Sequence, residues 1–410
     1  MMQGVGRLAV ARCDRFRRPP FSEEADALTR RFLTPAHRAG IAQLTEWMQA
    51  AGMAVRLDAA GTLIGRYEGG GGKTLLIGSH IDTVRDAGAY DGTLGVMLGL
   101  GVVERLSRAG RRFPFAIEIL AFGDEEGSRF AAPMLGSRSL AGLSPPPGAL
   151  ESVDADGLTL SAALAAFGLA PGELPLAARA RTDIVLYFEP HIEQGPVLEA
   201  EGLPVGIVTG IAAQTRLSVT LNGEANHAGT TPMGLRRDAL AAGAEVVLAL
   251  EAIARREGIV GTVGAMAATP GLGNVISGQV RFPVDLRAPT DLQRDAAEAQ
   301  FRAELQRICA SRGVTAAVTL HQRMPACRCD DTAQALLTQA VAAAGVRPFH
   351  LASGAGHDAM SVAALAPVAM LFIRCARGIS HNPREAVESA DVEIAAQVML
   401  EFISRLARLG

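Results

Sequence analysis

Five short stretches of this chain each place a cation-binding side chain beside an apolar run: GSHIDTV with His80, AYDGTLG with Asp91, FGDEEGSRF with Glu125 and Glu126, PHIEQG with His191, and GISHNP with His381. Imidazole nitrogen and carboxylate oxygen in this mixture suit zinc, with manganese, cobalt or nickel as reasonable substitutes. Taken singly, the stretches carry little. A histidine at a strand end ordinarily serves packing, Asp91-Gly92 reads equally well as a turn, and adjacent Glu125 and Glu126 read as solvated loop. As a set they are harder to set aside. Asp124, Glu125 and Glu126 follow the apolar run FAIEILAF and repel one another unless a cation compensates them.

His80 and Asp82 stand two residues apart where the run TLLIGS gives out. In extended chain such positions face the same way. The Asp82 carboxylate is therefore expected to accept the second ring N–H of an ion-binding His80, fixing its tautomer and orientation.

The elements that must hold these groups are legible in outline. Runs such as TLLIGS, FAIEILAF, DIVLYFE and VAMLFIR alternate with helical stretches such as GVMLGLGVVERLSRAG, which predicts an α/β domain around a mostly parallel central sheet. Polar residues cluster just after the runs, and in open α/β sheets ligands sit beyond the carboxyl ends of the strands. Residues 213–327 read instead as β-α-β-β-α-β, a ferredoxin-like α+β order. The expected organisation is a larger domain of residues 1–212 and 328–410 with an inserted domain of residues 213–327, joined by hinges able to swing it. GGGGKT at 69–74 is not a phosphate loop: Tyr67 stands where the pattern needs glycine, and the run precedes its strand.

Composition narrows the partners. The chain has 410 residues, 49% of them hydrophobic, enough for a large core and more readily two domains than one. A formal charge of -3 gives no bulk electrostatic reason to expect nucleic acid or a membrane. Five cysteines without a CxxC pair indicate neither a disulfide framework nor a zinc knuckle. The N-terminal MMQGVGRLAVARCDRFRRPP has too short an apolar stretch for a signal-peptide core, so a cytoplasmic enzyme or binding protein is expected.

In the order of these motifs, the chain resembles the M20-type two-metal amidohydrolases, in particular the hydantoinase/carbamoylase branch of allantoate amidohydrolases, N-carbamoyl-L-amino acid hydrolases and ureidopropionases. The likeness runs along nearly the whole chain, through GSHIDTV, HIEQGPVLE, GEANHAGTTPM, SGAGHDAM and GISHNP. It implies two divalent ions per subunit, one held by His80, Asp91 and His191 and the other by Asp91, Glu126 and His381, with Asp91 bridging. It implies that Glu125 is the general base. It implies further that His227 reaches across a dimer interface to stabilise an oxyanion and that Asn274 and Arg287 bind substrate amide and carboxylate groups. The amides of Gln194 and Gln214, able to donate to oxygen and accept from nitrogen, are candidates for contacts to the ureido group, and glycine-rich SGAGHDAM, with Gly356 and His357, is expected to let backbone approach the substrate closely. Read from the residues alone, His227 is a capped turn, Arg287 pairs with Asp285, and SGAGHDAM is a simple loop. Peptidase relatives commonly carry a carboxylate where His191 stands, so HIEQG points to the carbamoylase branch.

The function implied is a homodimeric two-metal hydrolase of the terminal ureido C–N bond on a small carboxylate-bearing substrate, allantoate first and N-carbamoyl-L-amino acids or ureidopropionate next. An aminopeptidase and a noncatalytic metal-stabilised binding protein are the rivals. Retention of Glu125 with all five ligands argues against the second.

Overall fold

The computed structural model describes residues 4–130 and 132–409. Its chain forms two compact units, one taking in the chain up to Thr209 and from Arg328 onward, the other Gly210–Cys327.

The larger unit is built on a nine-stranded sheet. At its centre Ala116–Phe122, Thr74–His80, Ile184–Ile192 and Val368–Ile373 lie side by side, all parallel. The first two are buried at every position, as their mostly apolar sequences require of strands covered on both faces, and the one acid among them, Glu118, is paired with Arg66 and Arg179. The helix Thr93–Arg108 makes the crossover between them and is buried along most of its length. It packs against the helix Val5–Phe16, which in turn meets Ser389–Leu406. Among the described residues no single helix is long and apolar enough to cross a membrane.

The sheet is mixed rather than mostly parallel. Leu63–Tyr67 runs antiparallel to both Ala54–Leu57 and Ala116–Phe122, and Val205–Ile211 runs antiparallel to Val368–Ile373. Only five residues separate Ala54–Leu57 from Leu63–Tyr67, too few for the crossover that parallel pairing needs.

In the smaller unit, Thr315–Met324, Ala213–Asn222 and Gln279–Ala288 form an antiparallel sheet in that order. The helices Ala239–Glu257 and Asp291–Arg312 share one core with its inward residues. Asp238 and Thr290 cap their first turns, and left-handed Gly258 and Gly313 end them. The third element of the predicted β-α-β-β-α-β order, a single strand over GTVGAMAAT, is two short ones, Val260–Thr262 and Ala267–Thr269, both paired to Gln279–Ala288. Between them residues 263–266 oppose one residue fewer, 282–284, and Pro283 there offers no N–H to the ladder.

Candidate metal centre

The carboxyl ends of the central parallel strands gather the five groups. His80 is the last residue of Thr74–His80, Glu125 and Glu126 follow Ala116–Phe122, and His191 is the penultimate residue of Ile184–Ile192. Asp91 sits in the loop entering Thr93–Arg108, and His381 lies past the end of Val368–Ile373. Candidate ion-holding groups form around His80, Asp91 and His191, around Asp91, Glu126 and His381, and around His80, Glu125 and Glu126, with the donor atoms of each group lying within 4.8 Å of one another.

The tautomers follow from the backbone. His80 Nδ1 lies 3.0 Å from the Asp82 carbonyl oxygen and His191 Nδ1 lies 2.9 Å from that of Ile192. A carbonyl only accepts, so each Nδ1 carries the hydrogen and each Nε2 is turned inward. Those two Nε2 atoms lie 3.5 Å apart and stand 3.7 and 3.3 Å from Asp91 Oδ1. Asp91 Oδ1 is itself buried without a hydrogen-bond partner. On the other side His381 Nε2 lies 3.2 Å from Asp91 Oδ2 and 3.6 Å from Glu126 Oε1.

Electrostatics demand positive charge at this point. Burial opposes a charged His80, yet the Asp82 and Asp91 carboxylates hold its pKa well above the usual value. The hydrogen bond to Asp91 pushes His381 up to about 9. Burial, reinforced by Asp91, pushes Glu126 up to about 7, and burial, reinforced by Glu126 and Asp358, raises Glu125. His191 is drawn down to about 4 by burial, which keeps its ring neutral and its lone pair available. Inward lone pairs, an orphaned carboxylate oxygen and crowded acids are the donor set of a divalent cation site, so the residues fit such ions.

A further group, Glu189, His191 and His357, also lies within 4.8 Å. It competes for the same histidine: with Nδ1 donating to Ile192, His191 has one lone pair, and one lone pair serves one ion. His357, edge-on to His191 with ring centroids 4.5 Å apart and Nε2 2.8 Å from Ser353 Oγ, is instead the wall behind that ring.

Asp82 departs from expectation. Its carboxylate is 3.5 Å from His80 Nδ1, farther than its own carbonyl oxygen. The reason is a stronger claim on both oxygens, which accept the backbone N–H groups of Glu125 and Glu126 at 3.1 and 3.2 Å. Gly92 completes the local geometry. It has φ of 61°, and a Cβ there would run into the His80 imidazole.

The remaining expected residues fall elsewhere. Gln194, left-handed at φ 56°, donates from Nε2 to Asp91 Oδ2 at 2.9 Å, so its amide is engaged by the donor cluster. Gly356 lies in the larger unit, where a Cβ would meet the Met134 methyl at 3.3 Å. In the smaller unit Arg287 grips Asp285 through Nε and Nη2, each at 3.0 Å, and Gln214 donates to the same carboxylate at 2.8 Å. His227 and Asn274 are exposed neighbours there, joined by an isolated bridge between His227 and Val275 and by Ala228 N–H donating to the Asn274 carbonyl.

Several supporting residues had no signal in the motifs. Arg30, fully buried, donates to the carbonyls of Ile81, Phe16 and Phe21 and to Thr93 Oγ1, pinning the loop after His80 to the start of the crossover helix. Next to Arg31 in LTRRF it reads as half of a surface basic pair. Ser380 and Glu385 flank His381 and Asp91 from behind. Their nearness to His381 in SHNPRE was the one available hint.

An α/β fold with acids and imidazoles converging at its strand ends defines a candidate metallohydrolase. The chain belongs to Peptidase family M20/M25/M40, whose family model matches residues 76–405. It is 41% identical to an N-carbamoyl-L-amino acid amidohydrolase of Geobacillus stearothermophilus, over 94% of this chain and 95% of that one. It is 41% identical to a probable allantoate deiminase of Oryza sativa subsp. japonica, over 93% of this chain and 84% of that one. Among solved structures, a hydantoinase/carbamoylase family amidase from Burkholderia multivorans superposes with a TM-score of 0.90 at 32% identity, covering 98% of each chain.

Proposed function

We propose that this protein is a metal-dependent amidohydrolase that cleaves the C–N bond of a terminal ureido group on a small carboxylate-bearing substrate, releasing ammonia and carbon dioxide. The observation that carries the reading is the meeting of His80, Asp91, Glu126, His191 and His381 around a shared carboxylate, in a chain similar to amidohydrolases along almost its whole length. Allantoate is the first substrate. N-carbamoyl-L-amino acids are the second reading, favoured by the similarity to the Geobacillus stearothermophilus protein.

In this reading His80, Asp91 and His191 hold one divalent ion and Asp91, Glu126 and His381 hold another, zinc by the donor chemistry, with manganese, cobalt or nickel able to replace it. When bound, such ions would supply Lewis acidity that lowers the pKa of water to about 7. Glu125 takes the proton of the attacking water and delivers it to the leaving nitrogen, a role supported by its raised pKa and by Oε2 lying 3.9 Å from His80 Nε2. Asp82 keeps that base in place by holding the Glu125 and Glu126 backbone. His227 stabilises the oxyanion, Asn274 and Arg287 bind the substrate's amide and carboxylate, Gln194 and Gln214 serve the ureido end, and Gly356 lets backbone approach the substrate. The smaller unit serves as lid and homodimer contact, and the protein works in the cytoplasm.

Ammonia release from allantoate, N-carbamoyl-L-amino acids, ureidopropionate and dipeptides tests the reading. Release from the ureido compounds, abolished by chelation and restored by zinc or manganese, is expected. Hydrolysis of dipeptides alone would make the protein an aminopeptidase. Binding of ureido compounds without any turnover would leave a noncatalytic binding protein.

A further inference from the structure

Asp91 joins the His80 and His191 donors to Glu126 and His381, and its placement is not left to its own side chain. The backbone N–H groups of Tyr90 and Asp91 both donate to Glu385 Oε1, at 2.7 and 3.1 Å. Glu385 Oε2 lies 2.9 Å from Ser380 Oγ, and the same hydroxyl lies 2.9 Å from Asp91 Oδ2. The Glu385 residue is 3% exposed. Its carboxylate reaches beneath the Asp91 loop because Gly88 has no side chain, and a Cβ there would run into it. Glu385 therefore ties the segment carrying His381 to a loop 294 residues earlier in the chain.

We propose that Glu385 is a positioning residue for the ion pair: by gripping the backbone of Asp91 and, through Ser380, its carboxylate, it holds the shared donor and the His381 segment in mutual register before any ion arrives. This rests on the two-ion reading of the centre. The contacts are specific to that role. They engage the backbone N–H of a proposed ligand and, through one hydroxyl, an oxygen of the same ligand, whereas anchoring the loop alone would need only the first. Ser380 has a single proton to give, so it donates to one of the two carboxylates at a time and is shared between them. Groups of this kind behind metal ligands ordinarily change ion affinity about 10- to 100-fold when removed.

The test is zinc affinity of the full chain, measured by competition with a chromophoric chelator, together with the visible absorption of the cobalt-loaded protein. Wild type is expected to bind two ions. Glu385→Ala is expected to weaken at least one by about 10- to 100-fold and to shift the cobalt spectrum. Glu385→Gln keeps an acceptor for both N–H groups and donates to Ser380 Oγ, so it is expected to restore affinity and spectrum close to wild type. Ser380→Ala is expected to fall between them. A wild-type chain that binds fewer than two ions overturns the two-ion reading and this inference with it. A two-ion wild type with an unchanged Glu385→Ala, or a Glu385→Gln as impaired as Glu385→Ala, overturns this inference alone. If Glu385→Ala does not fold, Ser380→Ala and Gly88→Ala decide: wild-type affinity and spectrum in both overturn it.

Discussion

The two sheets of this molecule solve opposite problems. In the larger unit the central strands are covered on both faces, and the candidate ion donors gather where the strands end. In the smaller unit Ala213–Asn222 and Gln279–Ala288 alternate, with Leu217, Val219, Phe282 and Val284 inward and Arg216, Arg281 and Pro283 outward. Their acids differ accordingly. Burial pushes Asp58 up to about 6 and Glu189 up to about 8 in the larger unit. In the smaller one, Arg312 pulls Glu245 down, and Arg287 with Arg216 overcomes the effect of burial on Asp285. At these positions enclosure favours the neutral carboxyl in one region, whereas in the other arginine pairing favours the ionised one.

The largest test of this contrast is Glu125→Gln, which removes the proposed base from the enclosed region. Turnover in the ammonia assay is expected to fall at least 10²- to 10⁴-fold, with zinc content by elemental analysis close to two ions per chain. An active variant would place the base elsewhere. Next is packing. Leu76→Ala, in the two-sided sheet, is expected to cost about 2–5 kcal/mol, whereas Arg281→Ala on the outward face of the smaller sheet is expected to change stability by less than about 0.5 kcal/mol. Urea denaturation of both variants distinguishes them, and equal losses would break the comparison. A smaller effect belongs to substrate grip. Arg287→Ala is expected to raise KM about 10-fold or more with kcat less affected, the loss of a charge-assisted hydrogen bond worth roughly 1.5–3 kcal/mol. If KM is unchanged, Arg287 serves only its pair with Asp285.

The subtlest test is pH. Asp58 caps the turn between Ala54–Leu57 and Leu63–Tyr67, with Oδ1 accepting from Ala60 and Thr62. Its folded pKa lies above the unfolded value, so its protonated form favours the fold. That stabilisation is complete below the unfolded pKa near 3.8 and is lost as pH rises through about 6. Asp285 has the opposite sign: its lowered pKa contributes stability above the unfolded value, and this is lost on acidification. Asp58→Asn is expected to flatten the stability profile between about pH 4 and 6 and to add on the order of 1 kcal/mol at neutral pH. An unchanged slope by denaturation at each pH would refute the assignment.

The buried strands were legible because enclosure on both faces leaves a mostly apolar run. The flanking antiparallel strands were less so: Ala54–Leu57 is largely exposed, and no periodicity marks its partner. The break in GTVGAMAAT depended on a mismatch in length with the neighbouring strand, which pattern does not reveal. The donors stood out because imidazole and carboxylate at strand ends are chemically conspicuous. Their supports did not. Asp82 was expected to hold His80 through its carboxylate, but that carboxylate is taken by the N–H groups of Glu125 and Glu126, in a turn more than forty residues later, and the Asp82 carbonyl meets the ring instead. Arg30 and Glu385 act through contacts between parts of the chain that only folding brings together.

Asp82 has one more consequence. Because the same short carboxylate caps the turn bearing Glu125 and follows directly on the strand bearing His80, the spacing between these two groups is written into a main-chain bridge. An empty pocket therefore keeps its calibre, and reloading is expected to need no refolding of that corner.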